Sequence, residues 1–349
     1  MLIVFYISGH GFGHASRQIE LIREICARRP DARVIVRTSV PRWLFAPVAR
    51  AAVEVQPLEA DTGVVQLDSL SLDEEQTARE AARFFADFDR RVVVEAGLIR
   101  GVRADLVVGD IPPLASAAAE RAGVPCLAIA NFTWDWIYGI YPAFDRIAPE
   151  VIPAIRRAYA ATTRALRLPL HGGFEPMTAV TRDIPFIARR STRDPAETRR
   201  RLELTGDRPV VLTSFGGYGA DLPLEALRHA GRLTIIDVPR EPPAGLLYQD
   251  LVAAADVVVS KPGYGVVSEC VANGTALLYT SRGRFIEYDL FVTEMPRMLR
   301  CRFISQEDLL AGRWATAIDA LMAQPAPADH PAVNGVDVAA QEVLAMAGA

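Results

Sequence analysis

The chain has 349 residues, of which 50% are hydrophobic and 23% are charged, proportions typical of a folded protein with about two domains. The formal net charge of −4 argues against a nucleic-acid-binding protein, because a phosphate backbone is bound by a clustered basic surface. No segment approaches 18 consecutive apolar residues, so we expect no membrane span and a cytoplasmic location.

The first half of the chain alternates short β-branched segments with longer amphipathic ones, a rhythm typical of a parallel sheet. The apolar start is short and lacks a basic leader, so it is predicted to be a central strand rather than a signal peptide. Residues 1–165 are predicted to form an amino-terminal Rossmann-like domain. Its strands are predicted at 2–7, 33–38, 105–110 and 125–130, and its helices over 14–29 and 72–101.

The segment 131–142, which follows the last of these strands, is dense in aromatic residues. Two interpretations stay open for it. The aromatic side chains either wall a ligand-binding cleft or pack in the core of the domain.

Residues 166–207 are rich in proline, glycine and arginine and are predicted to connect two domains. Residues 208–324 are predicted to form a second Rossmann-like domain, and the tail at 325–349 to carry the last helix back across the domain boundary. The four cysteines are too far apart for a zinc knuckle or a disulfide framework, so we expect buried free thiols. The strands of the second domain are predicted at 208–213, 233–238, 256–259 and 276–280.

Two glycine-rich turns each lie between a strand-like segment and a helix-like one. The first contains Gly11 and Gly13, and the second contains Gly263 and Gly265. One such turn is a weak signal, because any α/β domain needs glycines there. A pair about one domain apart predicts an α/β fold of two doubly wound parallel-sheet domains that face a cleft, with ligands at the carboxyl ends of the strands.

The second turn is predicted to bind a phosphate. A helix amino terminus offers unpaired backbone N–H groups there, and Lys261, the only lysine of the chain, adds a full positive charge. Glu269, one turn into the helix, is expected to accept hydrogen bonds from ribose hydroxyls, with an ordinary first-turn carboxylate as the open alternative. The turn after the strand at 208–213 is expected to hold the other side of a diphosphate. The predicted donor-site residues are Ser214, Gly216, Gly217, Lys261, Gly263, Tyr264, Gly265, Ser268 and Glu269.

The first turn is predicted to hold a general base. His14 lies at the start of a helix beside the substrate-binding glycines Gly11 and Gly13, and imidazole titrates near neutral pH. Asp110, at the end of a neighbouring strand, is the candidate carboxylate that orients this base, with a strand-end cap as the alternative. His10 and His14 are spaced like zinc ligands, but His10 falls in the turn and no third ligand is evident, so no metal is predicted.

Two other nucleotide-binding classes are disfavoured. A nicotinamide dehydrogenase would carry an acidic residue at the end of its second strand, where this chain has Arg37-Thr38-Ser39. A Walker-type nucleotide hydrolase would carry Gly-Lys-Ser/Thr, which follows neither turn.

Four stretches, 8–15, 61–63, 131–138 and 261–269, resemble a known family. The chain resembles the glycosyltransferase-B superfamily, and along most of its length it is similar to the glycosyltransferase-like amino-terminal half of plant arabinokinases. The resemblance does not extend to the sugar-kinase half of those proteins, so it implies the transferase-like part alone.

The resemblance implies an amino-terminal acceptor domain and a carboxy-terminal nucleotide-sugar domain. It implies that Gly13-His14 supplies the base, that Lys261 stands where the family has a diphosphate-binding histidine, and that Glu269 binds ribose. It places Glu287 against the donor sugar, although Tyr288 stands where those enzymes have glutamine.

We therefore predict an inverting, metal-independent hexosyl- or pentosyltransferase that needs no cofactor. It would move a sugar from a nucleotide-diphosphate donor, expected to be a UDP-sugar, to an acceptor hydroxyl. Two alternatives stay open: a sugar-nucleotide hydrolase or epimerase on the same fold, and a non-catalytic sugar-nucleotide-binding protein.

Overall fold

The computed structural model describes residues 1–49, 52–204, 206–216, 219–237 and 245–348. The chain divides into two compact units. Each unit contains one parallel β-sheet together with α-helices, which confirms the predicted α/β class. Unit 1 comprises Met1–Val65, Leu72–Ile187 and Asn334–Ala349, and unit 2 comprises Gln66–Ser71 and Ala188–Val333.

The strands described in unit 1 are β1 (Leu2–Ile7), β2 (Arg33–Thr38), β3 (Val53–Pro57), β4 (Leu106–Asp110), β5 (Cys126–Phe132), β6 (Arg164–Gly172) and β7 (Thr181–Asp183). They form one sheet in the order β3-β2-β1-β4-β5-β6-β7, and every neighbouring pair is parallel. Every residue of β1 and β4 is buried, which explains why both strands are continuous apolar runs in the sequence.

The helices of unit 1 that precede β7 are α1 (Phe12–Arg28), α2 (Glu74–Ala86), α3 (Phe88–Gly101), α4 (Pro113–Ala122), α5 (Trp134–Tyr138), α6 (Ala143–Ile147) and α7 (Val151–Ala160), with 3-10 helices at Arg42–Val48 and Glu175–Val180. The helix predicted over 72–101 is therefore two helices, which meet at Asp87. The carboxylate of Asp73 caps the first of them by accepting a hydrogen bond from the Gln76 backbone N–H at 2.8 Å.

The strands described in unit 2 are β8 (Val210–Thr213), β9 (Thr234–Asp237), β10 (Val257–Ser260), β11 (Ala276–Tyr279) and β12 (Cys301–Phe303). They form a parallel sheet in the order β12-β11-β10-β8-β9. Trp314 is fully buried in the core that packs against this sheet. The helices described in this unit are α8 (Pro195–Arg201), α9 (Leu224–Ala230), α10 (Tyr248–Ala254), α11 (Tyr264–Asn273), α12 (Ile286–Met298), α13 (Gln306–Leu310) and α14 (Ala315–Met322).

The predicted connection at 166–207 differs from the structure. β6 pairs with β5 and β7 pairs with β6, so the first sheet continues through residue 183. Unit 1 therefore extends to Ile187, and this proline- and arginine-rich segment contains the inner strand β6 and the edge strand β7. At the other end of the chain, the last helix, α15 (Gly335–Ala347), belongs to unit 1, as the predicted return of the tail requires.

The aromatic segment 131–142 packs mainly in the core of unit 1. Phe132, Trp134, Tyr138 and Tyr141 are all buried, and Trp136 is partly exposed. Of the two open interpretations, core packing therefore holds for four of these five side chains.

The four cysteines are buried and free, as expected. None of the helices that the structure describes is long and apolar enough to cross a membrane.

Gly173 is a position at which the fold needs glycine. Its φ is +82°, and a Cβ atom there would lie 2.1 Å from Thr133 Oγ1. We expect Gly173→Ala to lower the free energy of unfolding by on the order of 3 kcal/mol, since it combines a left-handed backbone with overpacking. Urea-induced unfolding monitored by circular dichroism measures the change.

The matched control is Gly97→Ala, in the exposed interior of α3, where a Cβ atom meets nothing within 4 Å. This variant should gain about 1 kcal/mol from helix propensity. Equal stability of the two variants would contradict the close packing assigned to Gly173.

Candidate functional site

The carboxyl ends of β1 and β4 bring the predicted base and its partner together. Ile7 and Asp110 are paired in register, and the backbone N–H of Ser8 donates to the Asp110 carbonyl at 2.8 Å. Gly11, at φ +74°, precedes α1 and turns the chain so that His14 lies in the first helical turn. His14 and Asp110 are both buried, and His14 Nδ1 lies 2.8 Å from Asp110 Oδ1. The partly buried Gly13 lies between Gly11 and His14 in this first turn.

Two further side chains of α1 hold the same carboxylate, and sequence reasoning missed both. Arg17 donates through Nε to Asp110 Oδ2 at 2.6 Å and through Nη2 to Oδ1 at 2.5 Å, while Gln18 Nε2 donates to Oδ2 at 2.7 Å. Burial would raise the pKa of Asp110, but Arg17 and His14 outweigh it and hold the pKa at about 2. Asp110 is therefore ionised throughout the neutral range. The helical spacing of Arg17 from His14 was the available signal, because residues three apart share a face.

The contacts of His14 Nδ1 determine which ring nitrogen can act as a base. Arg17 Nη2 lies 3.0 Å from Nδ1 but can only donate, whereas Asp110 can only accept. With the proton on Nδ1 directed to Asp110, Nε2 carries the lone pair that can take up a proton. Phe132 fixes the ring from another side by an edge-to-face contact with centroids 5.4 Å apart.

Asp61 is a second buried carboxylate near His14, and sequence reasoning gave it no role. It accepts hydrogen bonds from Ser8 Oγ at 3.0 Å and from Trp134 Nε1 at 2.8 Å. Burial raises the pKa of Asp61 to about 6, against the opposing effects of Ser8, His14 and Trp134. The available signal was its place in the short segment that follows β3, because carboxyl ends of parallel strands share one edge of a sheet.

In unit 2, the second glycine turn lies at the carboxyl end of β10, as predicted. Gly263 immediately precedes α11, and a Cβ atom on it would meet nothing within 4 Å, so the first turn of this helix is open to close approach. Tyr264 is buried as the first residue of the helix, and Gly265 is partly exposed. The first backbone N–H groups of α11 are thus directed toward the same edge as Lys261.

Two cations lie together at this edge. Lys261 Nζ donates to Gln66 Oε1 at 3.1 Å, and Arg282, from the loop after β11, donates through Nη1 to the Pro262 carbonyl at 3.5 Å. Burial and the charge of Arg282 lower the pKa of Lys261 to about 7, while Asp68 opposes the shift. A lysine and an arginine held this closely form a local positive potential suited to an anion with more than one charge.

The turn after β8 lies beside this edge, because β8 and β10 are neighbours in the sheet. Ser214 Oγ lies 2.6 Å from Tyr248 Oη, and the Ser214 carbonyl accepts a hydrogen bond from Ser260 Oγ. Gly216 has φ +72° and open space around its Cα, whereas Gly217 lies outside the described residues. Ser214 and Gly216 thus lie at the end of the strand next to β10, and the role of this turn in binding stays a prediction.

Glu269 is buried in an ion pair that the sequence did not predict. Arg189 Nε donates to Glu269 Oε1 at 2.6 Å, and the Arg189 guanidinium also lies 4.6 Å from the centre of the Tyr248 ring. Burial raises the pKa of Glu269, and Arg189 opposes this shift. The carboxylate is thus more constrained than an ordinary first-turn cap, and its contact with ribose stays a prediction.

The remaining predicted residues have defined positions. Ser268 Oγ donates to the Gly265 carbonyl at 3.0 Å, so its hydroxyl is used within the helix. Glu287 is buried in the first turn of α12, after the loop that carries Arg282. In the described part of the chain, the predicted residues therefore collect at two sheet edges, one in each unit.

No protein-family model matches the chain. Its sequence is 28% identical to L-arabinokinase from Arabidopsis thaliana, in a match that covers 97% of this chain and 34% of that protein. The chain thus spans about a third of the length of this curated relative. The predicted resemblance is confirmed by this match and by the solved structures similar to the chain.

Among solved structures, the glycotransferase of kitacinnamycin is similar with a TM-score of 0.60 and 18% identity, covering 99% of this chain and 98% of that one. The chain has the glycosyltransferase-B fold. Phytolacca americana UGT2, solved with UDP-2-fluoro-glucose and pterostilbene, has a TM-score of 0.59 and 13% identity, covering 99% and 94%. MurG of Acinetobacter baumannii has a TM-score of 0.55 and 12% identity, covering 99% of each chain.

The titration of Lys261 can be measured without assignment, because a protein labelled with [13Cε]lysine gives one lysine resonance. We expect a midpoint of about 7 rather than the ordinary 10.5, since burial and Arg282 disfavour the ammonium form. Arg282→Gln should move the midpoint upward, because it removes the neighbouring like charge.

Arg284→Gln, in the same loop, is the control and should leave the lysine midpoint close to that of the wild type. A wild-type midpoint near 10.5 would show that Lys261 lies in solvent, away from Arg282.

Proposed function

We propose that this protein is an inverting, metal-independent glycosyltransferase that uses a nucleotide-diphosphate sugar. The observation that carries the proposal is the buried contact between His14 Nδ1 and Asp110 at the sheet edge of unit 1, within a glycosyltransferase-B fold. This contact leaves His14 Nε2 as a base at the start of a helix. The cation pair of unit 2 supplies the complementary chemistry, because it suits a leaving diphosphate.

The proposed reaction begins with the acceptor. Its hydroxyl gives a proton to His14 Nε2 as the oxygen attacks the anomeric carbon of the donor sugar. The bond between that carbon and the diphosphate oxygen breaks, and the electron pair leaves with the nucleoside diphosphate. A single displacement inverts the anomeric configuration.

The leaving diphosphate gains negative charge in the transition state. Lys261, Arg282 and the amino terminus of α11 offset this charge in the proposed complex, so no metal ion is required. The turn at Ser214 and Gly216 lies on the neighbouring strand end and would contact the other side of the diphosphate. Glu269 and Glu287 are the proposed ligands of the ribose and of the sugar.

A UDP-sugar is the proposed donor. The support is that Phytolacca americana UGT2, which shares the fold, was solved with UDP-2-fluoro-glucose. The match with L-arabinokinase concerns a third of that protein, so phosphoryl transfer to arabinose is not part of the proposal.

The donor site is tested by a thermal-shift panel of UDP, dTDP, GDP and ADP with their sugar conjugates. Ligand at about a hundred times its dissociation constant should stabilise the protein by about 2.7 kcal/mol. We expect one nucleotide family, that of UDP, to raise the melting temperature of the wild type, and Lys261→Met to abolish most of the shift.

The control is Arg232→Met, which removes an exposed cation of unit 2 that pairs with Asp319. This variant should retain the full shift with UDP-sugars. Equal shifts in wild type and Lys261→Met would contradict the assigned diphosphate site, and no shift with any nucleotide would contradict a nucleotide-sugar enzyme.

A further inference from the structure

His14 and Asp110 do not form an isolated histidine–aspartate pair, because the positive charge of Arg17 lies beside the same carboxylate. Arg17 and Asp110 form a two-point ion pair, and the exposed fractions of their side chains are 3% and 0%. The positive guanidinium therefore offsets the negative carboxylate at short range. Asp110 orients the imidazole, but much of its charge is already balanced by Arg17.

Asp61 is a second negative charge near His14, and unlike Asp110 it has no arginine beside it in the described part of the chain. Its hydrogen-bond donors, Ser8 Oγ, Trp134 Nε1 and the Gly9 backbone N–H, are all neutral groups. No arginine or lysine in the described part of the chain forms an ion pair with Asp61, and the positive charge that acts on it is the one His14 carries when protonated. Asp61 is 8% exposed, so water screens this interaction weakly.

The surroundings hold Asp61 in one orientation. Ser8 follows β1 and is tied through its backbone to Asp110, while Trp134 begins α5 and contacts the rings of Phe132 and His10. The two donors fix both carboxylate oxygens. Asp61 is thus attached to the turn that leads into the helix of His14 and to Trp134, whose ring contacts that of Phe132.

We propose that Asp61 is a positioning residue that stabilises the imidazolium formed when His14 accepts the acceptor's proton, a task that Asp110 shares only in part because Arg17 balances its charge. This inference rests on the proposed function. The proton moves from the acceptor oxygen to His14 Nε2, and it returns to water after the product leaves. Asp61 keeps its own proton state through the reaction and touches no reacting atom.

Burial disfavours the ionised form of Asp61, and the pKa of about 6 reflects this. Since the folded pKa is raised above the ordinary 3.8, ionisation lowers stability as the pH rises from about 4 to about 6. A carboxylate retained at such a position is typical of a functional site. The titratable and charged groups that surround Asp61 and His14 are His10, Arg17, Asp110, Tyr138 and Tyr159, and the pKa values of both tyrosines are raised by burial.

The first arm of the test is independent of activity. In protein labelled with [13Cγ]aspartate, the Asp61 resonance is assigned by its absence from Asp61→Asn, and its midpoint should lie near pH 6. His14→Gln should move this midpoint upward by at least about half a pH unit, because it removes the positive charge that a protonated imidazole places near Asp61. An unchanged midpoint would overturn the coupling between Asp61 and His14.

The second arm compares rate with stability. At pH 8, Asp61→Asn should melt no lower than the wild type, since it removes a buried charge, while the transfer rate should fall at least tenfold. Asp61→Glu should restore part of the rate. Asp110→Asn is the contrast variant, because it leaves the buried Arg17 without its carboxylate and should lower both the rate and the melting temperature.

A transfer rate within twofold of the wild type in Asp61→Asn would overturn the proposal. If Asp61→Asn does not fold, the resonances of the wild type and of His14→Gln still decide whether the two groups interact, with Asp61→Glu used for assignment. If the wild type transfers no sugar from any donor, the proposed glycosyltransferase fails, and the first arm separately decides the coupling.

Discussion

The architecture around His14 depends on one buried carboxylate, that of Asp110. It accepts four contacts from three side chains of α1, and its backbone carbonyl holds the start of the turn after β1. Arg17 extends the network to Asn131 at the end of β5, with Nη1 donating to Oδ1 at 2.8 Å. Removing one member of a buried charge pair typically costs about 3–5 kcal/mol, because the other charge is left without a partner. The same carboxylate therefore fixes both the helix and the imidazole.

The predicted site of unit 2 places two like charges together instead of an ion pair. Where unit 1 balances a carboxylate with an arginine, the edge of β10 and β11 places Lys261 beside Arg282. Burial and, secondarily, repulsion from Arg282 disfavour the ammonium form of Lys261, and together they lower its pKa to about 7. A bound diphosphate would reverse that preference by supplying the missing negative charge. The fold thus holds an imidazole against a buried carboxylate in one unit and gathers two cations at a sheet edge in the other.

The sequence predicted the elements better than it predicted the connections between side chains. Continuous apolar runs identified β1 and β4, and glycine spacing identified both turns, because these signals are local. The ion pairs of Arg17 with Asp110 and of Arg189 with Glu269 join residues 93 and 80 positions apart, which no local pattern reports. The boundary of unit 1 was misplaced for a related reason, since β6, which lies next to the edge strand β7, is amphipathic and contains a proline. Asp61 had a visible position after β3, but its importance depends on burial, which the sequence does not state.

We propose that the protein transfers a sugar to an acceptor with His14 as the base. The most direct measurement is proton NMR of the products formed from a UDP-sugar and a pool of hydroxyl acceptors, with His14→Ala run in parallel. We expect a new glycoside whose anomeric configuration is the opposite of the donor's, formed by the wild type and lost in the variant. Free sugar released equally with and without acceptor, or a glycoside formed equally well by His14→Ala, would contradict it.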